Sequence, residues 1–221
     1  MKAKSFTEFE FRKVVDGTKM QFRHRIKKID EKIYEFHHNT DNREISEKNY
    51  ATFVHKHPES DEVVYDGVSC CMHIPSYFKV GEKVYLKEPY SFEYGNSGEL
   101  HYKIDGEDEF NKFRLSEDSH FNFMKWKNKL SMPEKYARHF IEITNVRCER
   151  LQDISDEDCY NEGLICHSGF DEPTYYEYGN DDTCVGETPQ DAYAALIDKI
   201  NGKGIWDSNP FVWVYDFKLV K

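Results

Sequence analysis

The sequence has no long apolar run. No segment of its 221 residues approaches the about 18 consecutive apolar residues that a membrane-spanning helix needs. The first eleven residues carry lysines but no apolar core of the kind that secretory signal peptides contain. These absences predict a protein with no membrane partner, and we expect it to be soluble and cytoplasmic.

An excess of positive charge is also absent. The chain has 30 Lys and Arg residues against 41 Asp and Glu residues, which gives a formal net charge of −11. Proteins that grip long nucleic acids usually present a basic surface, because they neutralise many phosphates. The composition therefore argues against a broad duplex-binding surface, but it allows a local site for one nucleotide or a short single strand.

The familiar cofactor and catalytic motifs are missing as well. The sequence contains no phosphate-binding loop, no Gly-x-Ser-x-Gly elbow and no dinucleotide fingerprint, so we expect no cofactor. The six cysteines include no Cys-x-x-Cys pair, and free thiols are the default in a chain of this size without an export signal.

A zinc site is a separate possibility, because four residues offer the nitrogen and sulfur ligands that zinc takes. These are His55, His57, Cys70 and His73. Cys70 is directly followed by Cys71, and adjacent cysteines are awkward ligands for one ion. We therefore predict no metal site, and the favoured interpretation is loop histidines and buried thiols.

Local sequence signals predict a mixture of helices and strands. Helices are expected where a Ser, Thr or Pro start signal precedes an apolar face that ends at Gly, and strands where apolar and polar residues alternate. The predicted helices are 7–15, 155–163 and 189–202, and the predicted strands include 80–90, 139–149 and 211–219. No Pro-rich or Gly-rich linker divides the chain. We predict a single domain over residues 1–221, with insertions at about 30–75, 91–125 and 165–188.

Four separated blocks carry a family resemblance. They lie at 16–23, 80–89, 132–163 and 200–214, and they include Gly17-Thr18-Lys19, Gly81-Glu82-Lys83-Val84, Leu151-Gln152-Asp153-Ile154-Ser155 and Trp206-Asp207-Ser208-Asn209-Pro210. In content and order they resemble the phage-type branch of the ASCH domain family, over about half of the chain. The resemblance implies an α+β fold with a PUA-like mixed β-barrel and flanking helices. It also implies a cleft between the barrel and the first helix, lined by the Gly-x-Lys segment.

The resemblance further implies a connection with RNA or modified nucleosides. Some ASCH members bind RNA, one bacterial group removes the acetyl group from 4-acetylcytidine, and others are linked to RNA cleavage. We therefore expect a phage or prophage protein, in a bacterial or phage-infected cell, that binds RNA or a modified nucleoside or nucleotide. Two alternatives stay open: a hydrolase of the 4-acetylcytidine amidohydrolase type or a ribonuclease, and an accessory protein that binds another protein through its acidic insertions.

The hydrolase branch uses a Lys, a Thr and a Glu, and this chain matches two of the three. Lys19 matches the Lys and Glu162 matches the Glu, so these two are the candidate catalytic residues. Phe22 occupies the Thr position and has no hydroxyl to act as a nucleophile. Thr18 lies on the other side of Lys19. We therefore expect binding rather than amidohydrolase chemistry.

The candidate ligand-binding residues are expected around the same cleft. Cations can contact a phosphate, a Glu can accept hydrogen bonds from a base edge, and tyrosines can stack on a base. The candidates are Lys19, Gln21, Arg23, Glu88, Arg138, Tyr176 and Tyr178. Several of these candidates, and the candidate catalytic Glu162, also have an ordinary structural interpretation. Lys19, Arg23 or Glu162 can be a solvated surface charge. Glu88 can form an ion pair that only orders the cleft, and the tyrosines can anchor their own loop. Arg138 is expected to hold either Glu162 or a ligand phosphate.

Overall fold

The computed structural model describes residues 1–27, 29, 34–36, 49–55, 71–94, 97–105, 126–169, 174–178 and 184–220. Within these ranges the fold is mixed α+β and strands predominate. The strands are β1 (Lys2–Ser5), β2 (Gln21–Arg25), β3 (Tyr34–Phe36), β4 (Tyr50–His55), β5 (Cys71–Pro75), β6 (Lys83–Lys87), β7 (Tyr90–Tyr94), β8 (Ser97–Tyr102), β9 (Phe140–Arg150), β10 (Ile165–His167), β11 (Tyr175–Glu177), β12 (Val185–Gly186) and β13 (Phe211–Val220). The α-helices are α1 (Glu8–Val15), α2 (Asp156–Asn161) and α3 (Pro189–Asn201).

The main strands follow one hydrogen-bonded order, β1-β6-β9-β13-β2. Strand β1 is parallel to β6, with Lys2 opposite Val84, whereas β2 is antiparallel to β13, with Arg25 opposite Val212. This order contains the strands predicted at 80–90, 139–149 and 211–219, which are β6, β9 and β13. The other described strands form β3-β4-β5, β10-β11-β12 and the hairpin β7-β8.

The sheets are open in the part of the chain that the structure describes. The main order ends at β1 on one side and at β2 on the other. A closed barrel requires every strand to have two hydrogen-bonded neighbours, so that no edge is left. The α+β class is confirmed, but the closed barrel expected from the family resemblance is not observed.

The chain divides into two compact units. Unit 1 comprises Met1–Gly17, Lys83–Ile141 and Leu219–Lys221, and unit 2 comprises Thr18–Glu82 and Glu142–Lys218. The single-domain organisation over the whole chain stays a prediction.

In unit 1, helix α1 begins where the sequence predicts. The Thr7 hydroxyl accepts a hydrogen bond from the Glu10 amide at 3.2 Å, and the Glu10 carboxylate accepts one from the Thr7 amide at 2.9 Å. This reciprocal capping box satisfies two amides that the helix cannot satisfy internally. Phe11 and Val14 form the buried face of the helix. Helix α1 is therefore fixed at its start and along one side.

In unit 2, both helices begin at predicted N-caps. The Ser155 hydroxyl caps α2, and the Thr188 hydroxyl caps α3, whose first residue is Pro189. Gly202 ends α3 with a φ of 107°, a conformation that glycine adopts without the steric cost of a side chain. In strand β13, all residues from 211 to 215 are buried.

The predicted insertions contain secondary structure wherever they are described. Within 30–75, strand β4 carries Ala51 and Phe53, whose side chains are fully buried. Within 91–125, strand β8 pairs with β7 in a hairpin, and Phe92 joins a small core with Tyr90 and Met132. Among the helices of the described ranges, none is long and apolar enough to cross a membrane.

Candidate functional site

Lys19 is buried and fully engaged. Its side chain is 1% exposed, and its ammonium donates to the Glu162 carboxylate at 2.5 Å, the Glu162 carbonyl at 3.0 Å and the Tyr178 hydroxyl at 3.2 Å. The Tyr178 hydroxyl in turn donates to the Glu162 carbonyl at 2.7 Å. These bonds match the three N–H donors of a lysine ammonium. The interpretation of Lys19 as a solvated surface cation is therefore wrong.

Glu162 is the partner that holds this centre together. It is the C-cap of α2 and only 3% exposed, so it is not a solvated surface carboxylate. Its second oxygen accepts from Arg23 at 3.0 Å and from the Tyr193 hydroxyl at 3.3 Å. The Met20 amide donates to the Asn161 carbonyl at 2.8 Å, which fixes the chain beside Lys19 against the end of α2.

The contacts extend into what we call the buried charge network. Its members are Lys19, Gln21, Arg23, Arg147, Glu149, Asp158, Glu162 and Asp216. Arg23 donates to Glu149 at 2.8 Å and to Asp158 at 2.9 Å, and its side chain is 2% exposed. Arg147 bridges Asp158 at 2.5 Å and Asp216 at 3.1 Å. Because β2, β9, β13 and α2 each contribute members, the network ties four elements of unit 2 together.

The ionisation of these groups follows their surroundings. Burial by itself would raise the pKa of Asp158, but hydrogen bonds from Gln21 and Arg147 hold that pKa below its ordinary value. Burial opposes the charged form of Arg23, yet the neighbouring Tyr193, Glu162 and Glu149 raise its pKa. Burial raises the pKa of Tyr193 well above that of a free phenol. At neutral pH Tyr193 is therefore a neutral hydroxyl that donates to Glu162.

Phe22 belongs to the apolar core and not to this network. Its ring stacks on Tyr215 with centroids 5.0 Å apart, and it lies 5.8 Å from both Phe78 and Phe217. Successive side chains on a strand point to opposite faces, so Phe22 points away from Gln21 and Arg23. Phe22 is therefore a core residue. A hydroxyl at this position would face the aromatic cluster instead of the ion pairs.

Glu88 and Arg138 form a second cluster, which lies in unit 1. Arg138 binds the Glu88 carboxylate through two hydrogen bonds of 2.9 and 2.8 Å, and it binds Asp105 through two more of 2.7 and 2.8 Å. The guanidinium lies 4.0 Å from the centre of the Tyr102 ring. Glu88 is 1% exposed, and burial raises its pKa although Arg138 acts in the opposite direction. Arg138 thus holds Glu88 and Asp105, where the sequence suggested Glu162 or a phosphate.

A cavity of about 450 Å³ lies beside this cluster, and its described lining residues belong to unit 1. We call it the α1 pocket, because the start of α1 and the end of β6 form part of its wall. It is lined by Phe6, Thr7, Glu8, Phe11, Lys87, Glu88, Pro89, Lys103, Ile104, Trp126, Lys127, Asn128 and Lys129. The pocket therefore combines three aromatic rings with four lysines and two glutamates.

Among the residues of this pocket, sequence reasoning points only to Glu88. The segment Trp126-Lys127-Asn128-Lys129 carries the one available signal, since it places an aromatic ring beside two cations. It directly follows the predicted insertion at 91–125, where the sequence indicates no site. Lys103 and Phe6 carry no comparable sequence signal.

The candidate residues thus fall into two groups. Lys19, Gln21, Arg23, Glu162 and Tyr178 meet in unit 2, whereas Glu88 and Arg138 meet in unit 1. Tyr176 lies on β11, and its ring centre is 6.5 Å from that of Tyr160. A single cleft around Lys19, Glu88 and Glu162 stays a prediction.

The candidate zinc ligands are described only in part. His57 and Cys70 lie outside the described residues, as does the side chain of His55. The His73 ring nitrogen lies 3.0 Å from the Thr52 hydroxyl. Where side chains are described, no three metal-ligating groups cluster together.

The chain matches no protein-family model, no curated protein and no solved structure. The resemblance to the ASCH family therefore rests on the four sequence blocks alone.

Proposed function

We propose that this chain is an ASCH-like, PUA-related domain that binds a nucleoside, a nucleotide or the end of an RNA strand in the α1 pocket. The observation that carries the proposal is the composition of that pocket, where Phe6, Phe11 and Trp126 share one cavity with four lysines. The first helix forms part of the wall, but the described lining residues do not include the Gly17-Thr18-Lys19 segment that the family resemblance places in its cleft.

The aromatic side chains are suited to the flat face of a base. Base stacking on an aromatic ring contributes on the order of 1–3 kcal/mol per base and tolerates any base. Trp126 is half-buried, which leaves part of its ring surface available to a ligand, whereas Phe6 and Phe11 are buried in the wall. We propose Trp126 as the principal stacking residue.

Glu88 is suited to hydrogen bonding at the wall of the pocket. Its two oxygens are held by Arg138, which fixes the orientation of the carboxylate. A carboxylate has about four lone-pair sites, so it can accept further hydrogen bonds from the amino and imino groups of a base. Arg138 acts here as a positioning residue.

Size and charge favour a small ligand over a duplex. A cavity of about 450 Å³ lies in the range of small-molecule sites, roughly 300–1,000 Å³. The net charge of −11 opposes the binding of a long polyanion, because proteins that neutralise many phosphates usually carry an excess of positive charge.

Binding is favoured over amide hydrolysis by the state of Lys19 and Glu162. Both side chains are buried, and their polar atoms form hydrogen bonds with each other and with neighbouring protein groups. A substrate amide reaches neither residue unless the buried charge network opens. The core position of Phe22 removes the third group that the hydrolase branch supplies.

The test is calorimetric titration of the full chain with the four ribonucleosides and their 5′-monophosphates. Binding should weaken about 5- to 100-fold in Trp126→Ala, since about 1–3 kcal/mol of stacking is lost. Leu130→Ala is the matched control, because Leu130 is close in sequence and 64% exposed. If no compound binds, or if both variants bind like the unmodified chain, the proposal fails.

A further inference from the structure

We infer that the α1 pocket selects a phosphorylated ligand, and that its lysines form a subsite for a terminal phosphomonoester. This inference rests on the proposed function and names its ligand class more narrowly. The lysines are Lys87, Lys103, Lys127 and Lys129. A free nucleotide and a 5′-phosphorylated RNA end share this chemistry.

The local charge is the reverse of the charge of the whole chain. The chain carries a net charge of −11, yet the described lining residues of this cavity include four lysines and two glutamates, Glu8 and Glu88. Glu88 shares Arg138 with Asp105, and Glu8 is shared between Arg12 and Lys103. With these partners counted, the described cations at the pocket still outnumber the described carboxylates.

The lysines reach the cavity from separate parts of the chain. Lys87 ends β6, Lys103 begins the 3-10 turn after β8, and Lys127 and Lys129 lie in the segment at 126–131. Lysines that are neighbours in sequence on a surface repel one another and extend into solvent, whereas these four come from separate parts of the chain. The folding of unit 1 brings these cations to one place.

Two of these ammonium groups are oriented by groups that carry no net charge. Lys87 donates to the Leu130 carbonyl at 2.7 Å, and Lys129 donates to the Phe6 carbonyl. A carbonyl oxygen fixes the direction of an ammonium without neutralising it, and each ammonium has three N–H donors. Lys127 makes a cation–π contact, 4.9 Å from the centre of the Phe92 ring.

A phosphomonoester is the anion that suits this arrangement best. It carries close to two negative charges at neutral pH and presents three acceptor oxygens. Lysines bind phosphate as point charges and do not require the planar geometry that an Arg and a carboxylate share. Several ammonium groups around one cavity therefore match a phosphate better than a single carboxylate.

The experiment compares matched ligands by calorimetry with the full chain. Each ribonucleoside is titrated beside its 5′-monophosphate, and a dinucleotide is titrated with and without a 5′-phosphate. The unmodified chain should bind the monophosphate at least tenfold more tightly than the nucleoside. This difference in affinity between the monophosphate and the nucleoside, the phosphate gap, should shrink as NaCl is raised from 0.05 to about 1 M, because salt screens charge pairs. Similar gaps for the nucleotide and the dinucleotide indicate an RNA end, and a gap for the nucleotide alone indicates a free nucleotide.

The variants assign the gap to the lysines. In Lys87→Met/Lys129→Met the difference in affinity between the monophosphate and the nucleoside should fall below about threefold, and a cooperative urea-unfolding transition reports that the variant is folded. Lys103→Met, tested alone, should reduce the gap in the same direction. Lys203→Met is the control, because Lys203 is an exposed lysine of unit 2.

The failures are distinguishable. Nucleosides and monophosphates that bind equally well, with both weakened by Trp126→Ala, would overturn the phosphate subsite and leave the proposed function standing. An unchanged gap in the double variant would also overturn the subsite. Absence of binding by every compound would overturn the proposed function and the inference together.

Discussion

The buried charge network of unit 2 and the α1 pocket of unit 1 use the same residue types in different ways. In the network, Lys19 and Arg23 donate directly to carboxylates, and Lys19 and Arg23 share the carboxylate of Glu162. In the pocket, Lys87 and Lys129 meet backbone carbonyls around a cavity. The difference teaches that matching a Lys and a Glu to a family motif does not identify a reactive site. Burial and the nature of the partner decide whether a charge holds the fold or remains available to a ligand.

The largest expected effect comes from breaking the buried charge network at its centre. Glu162→Gln leaves Lys19 and Arg23 without the charge that both of them contact. Removal of one partner from a buried ion pair costs about 3–5 kcal/mol. Urea unfolding at pH 7 should show a loss of this size in the free energy of unfolding.

The control is Glu187→Gln, since Glu187 is exposed in unit 2. It should change the free energy of unfolding by no more than about 0.5 kcal/mol. A Glu162→Gln variant as stable as this control would mean that the network does not support the fold.

Phe22→Thr tests the opposite face of the same strand. We expect a loss of about 3 kcal/mol, because the substitution leaves a cavity among Phe78, Tyr215 and Phe217 and buries a hydroxyl there. Neither this variant nor the unmodified chain should deacetylate 4-acetylcytidine at an appreciable rate. Urea unfolding and chromatographic assay of the product check the two parts. Efficient turnover by the unmodified chain would contradict the assignment as a binding protein.

Acid should weaken the buried charge network in a defined direction. Hydrogen bonds from Gln21 and Arg147 hold the pKa of Asp158 below its ordinary value in the folded state. A lowered pKa contributes stability that is present above the unfolded value and is lost as pH falls through the folded pKa. An unperturbed Asp titrates at about pH 4. Thermal unfolding measured between pH 6 and pH 2.5 should therefore show a loss of stability below about pH 4.

Asp158→Asn isolates this contribution. The variant should be less stable than the unmodified chain at pH 6, and the difference between the two should narrow as pH falls below about 4. A constant difference across the whole range would mean that the ionisation of Asp158 is not linked to folding.

The smallest effect on stability is expected from Glu88→Gln in the α1 pocket. The same type of substitution, Glu to Gln, has the largest expected effect at Glu162 in the buried charge network. Burial raises the pKa of Glu88, so the folded state disfavours its charged form relative to the unfolded state. The stabilisation of a group with a raised pKa is present below its unfolded pKa and is lost as pH rises through the folded pKa. Glu88→Gln removes this buried charge while Arg138 keeps its two hydrogen bonds to Asp105, and we expect it to cost under about 1 kcal/mol in the free energy of unfolding. A cost equal to that of Glu162→Gln would erase the distinction between the two regions.

Local signals predict the ends of the elements well, because the relevant interactions lie within a few residues. The predicted helices 7–15, 155–163 and 189–202 begin within one residue of α1, α2 and α3, and the alternation at 139–149 matches β9. Burial is harder to predict, since it depends on distant partners. Lys19 is buried because it meets Glu162, which is 143 residues away in sequence.

The pocket could not be predicted for the same reason. Its wall combines the start of α1, the end of β6 and the segment around Trp126, and no local pattern links these pieces. The burial of strand β4 could not be predicted either, because its buried residues Ala51 and Phe53 lie in a segment whose composition is polar overall.

The most direct test of pocket binding uses the three tryptophans as reporters. Trp126 lines the α1 pocket, whereas Trp206 packs against Tyr193 of unit 2, with ring centres 6.3 Å apart. The three indole N–H signals of the ¹⁵N-labelled chain are followed by NMR during titration with ribonucleoside 5′-monophosphates, and Trp126→Phe and Trp206→Phe assign them. We predict that the Trp126 signal shifts with ligand concentration while the Trp206 signal stays in place. A shift of Trp206 with Trp126 unchanged would place the ligand at the buried charge network and contradict binding in the α1 pocket.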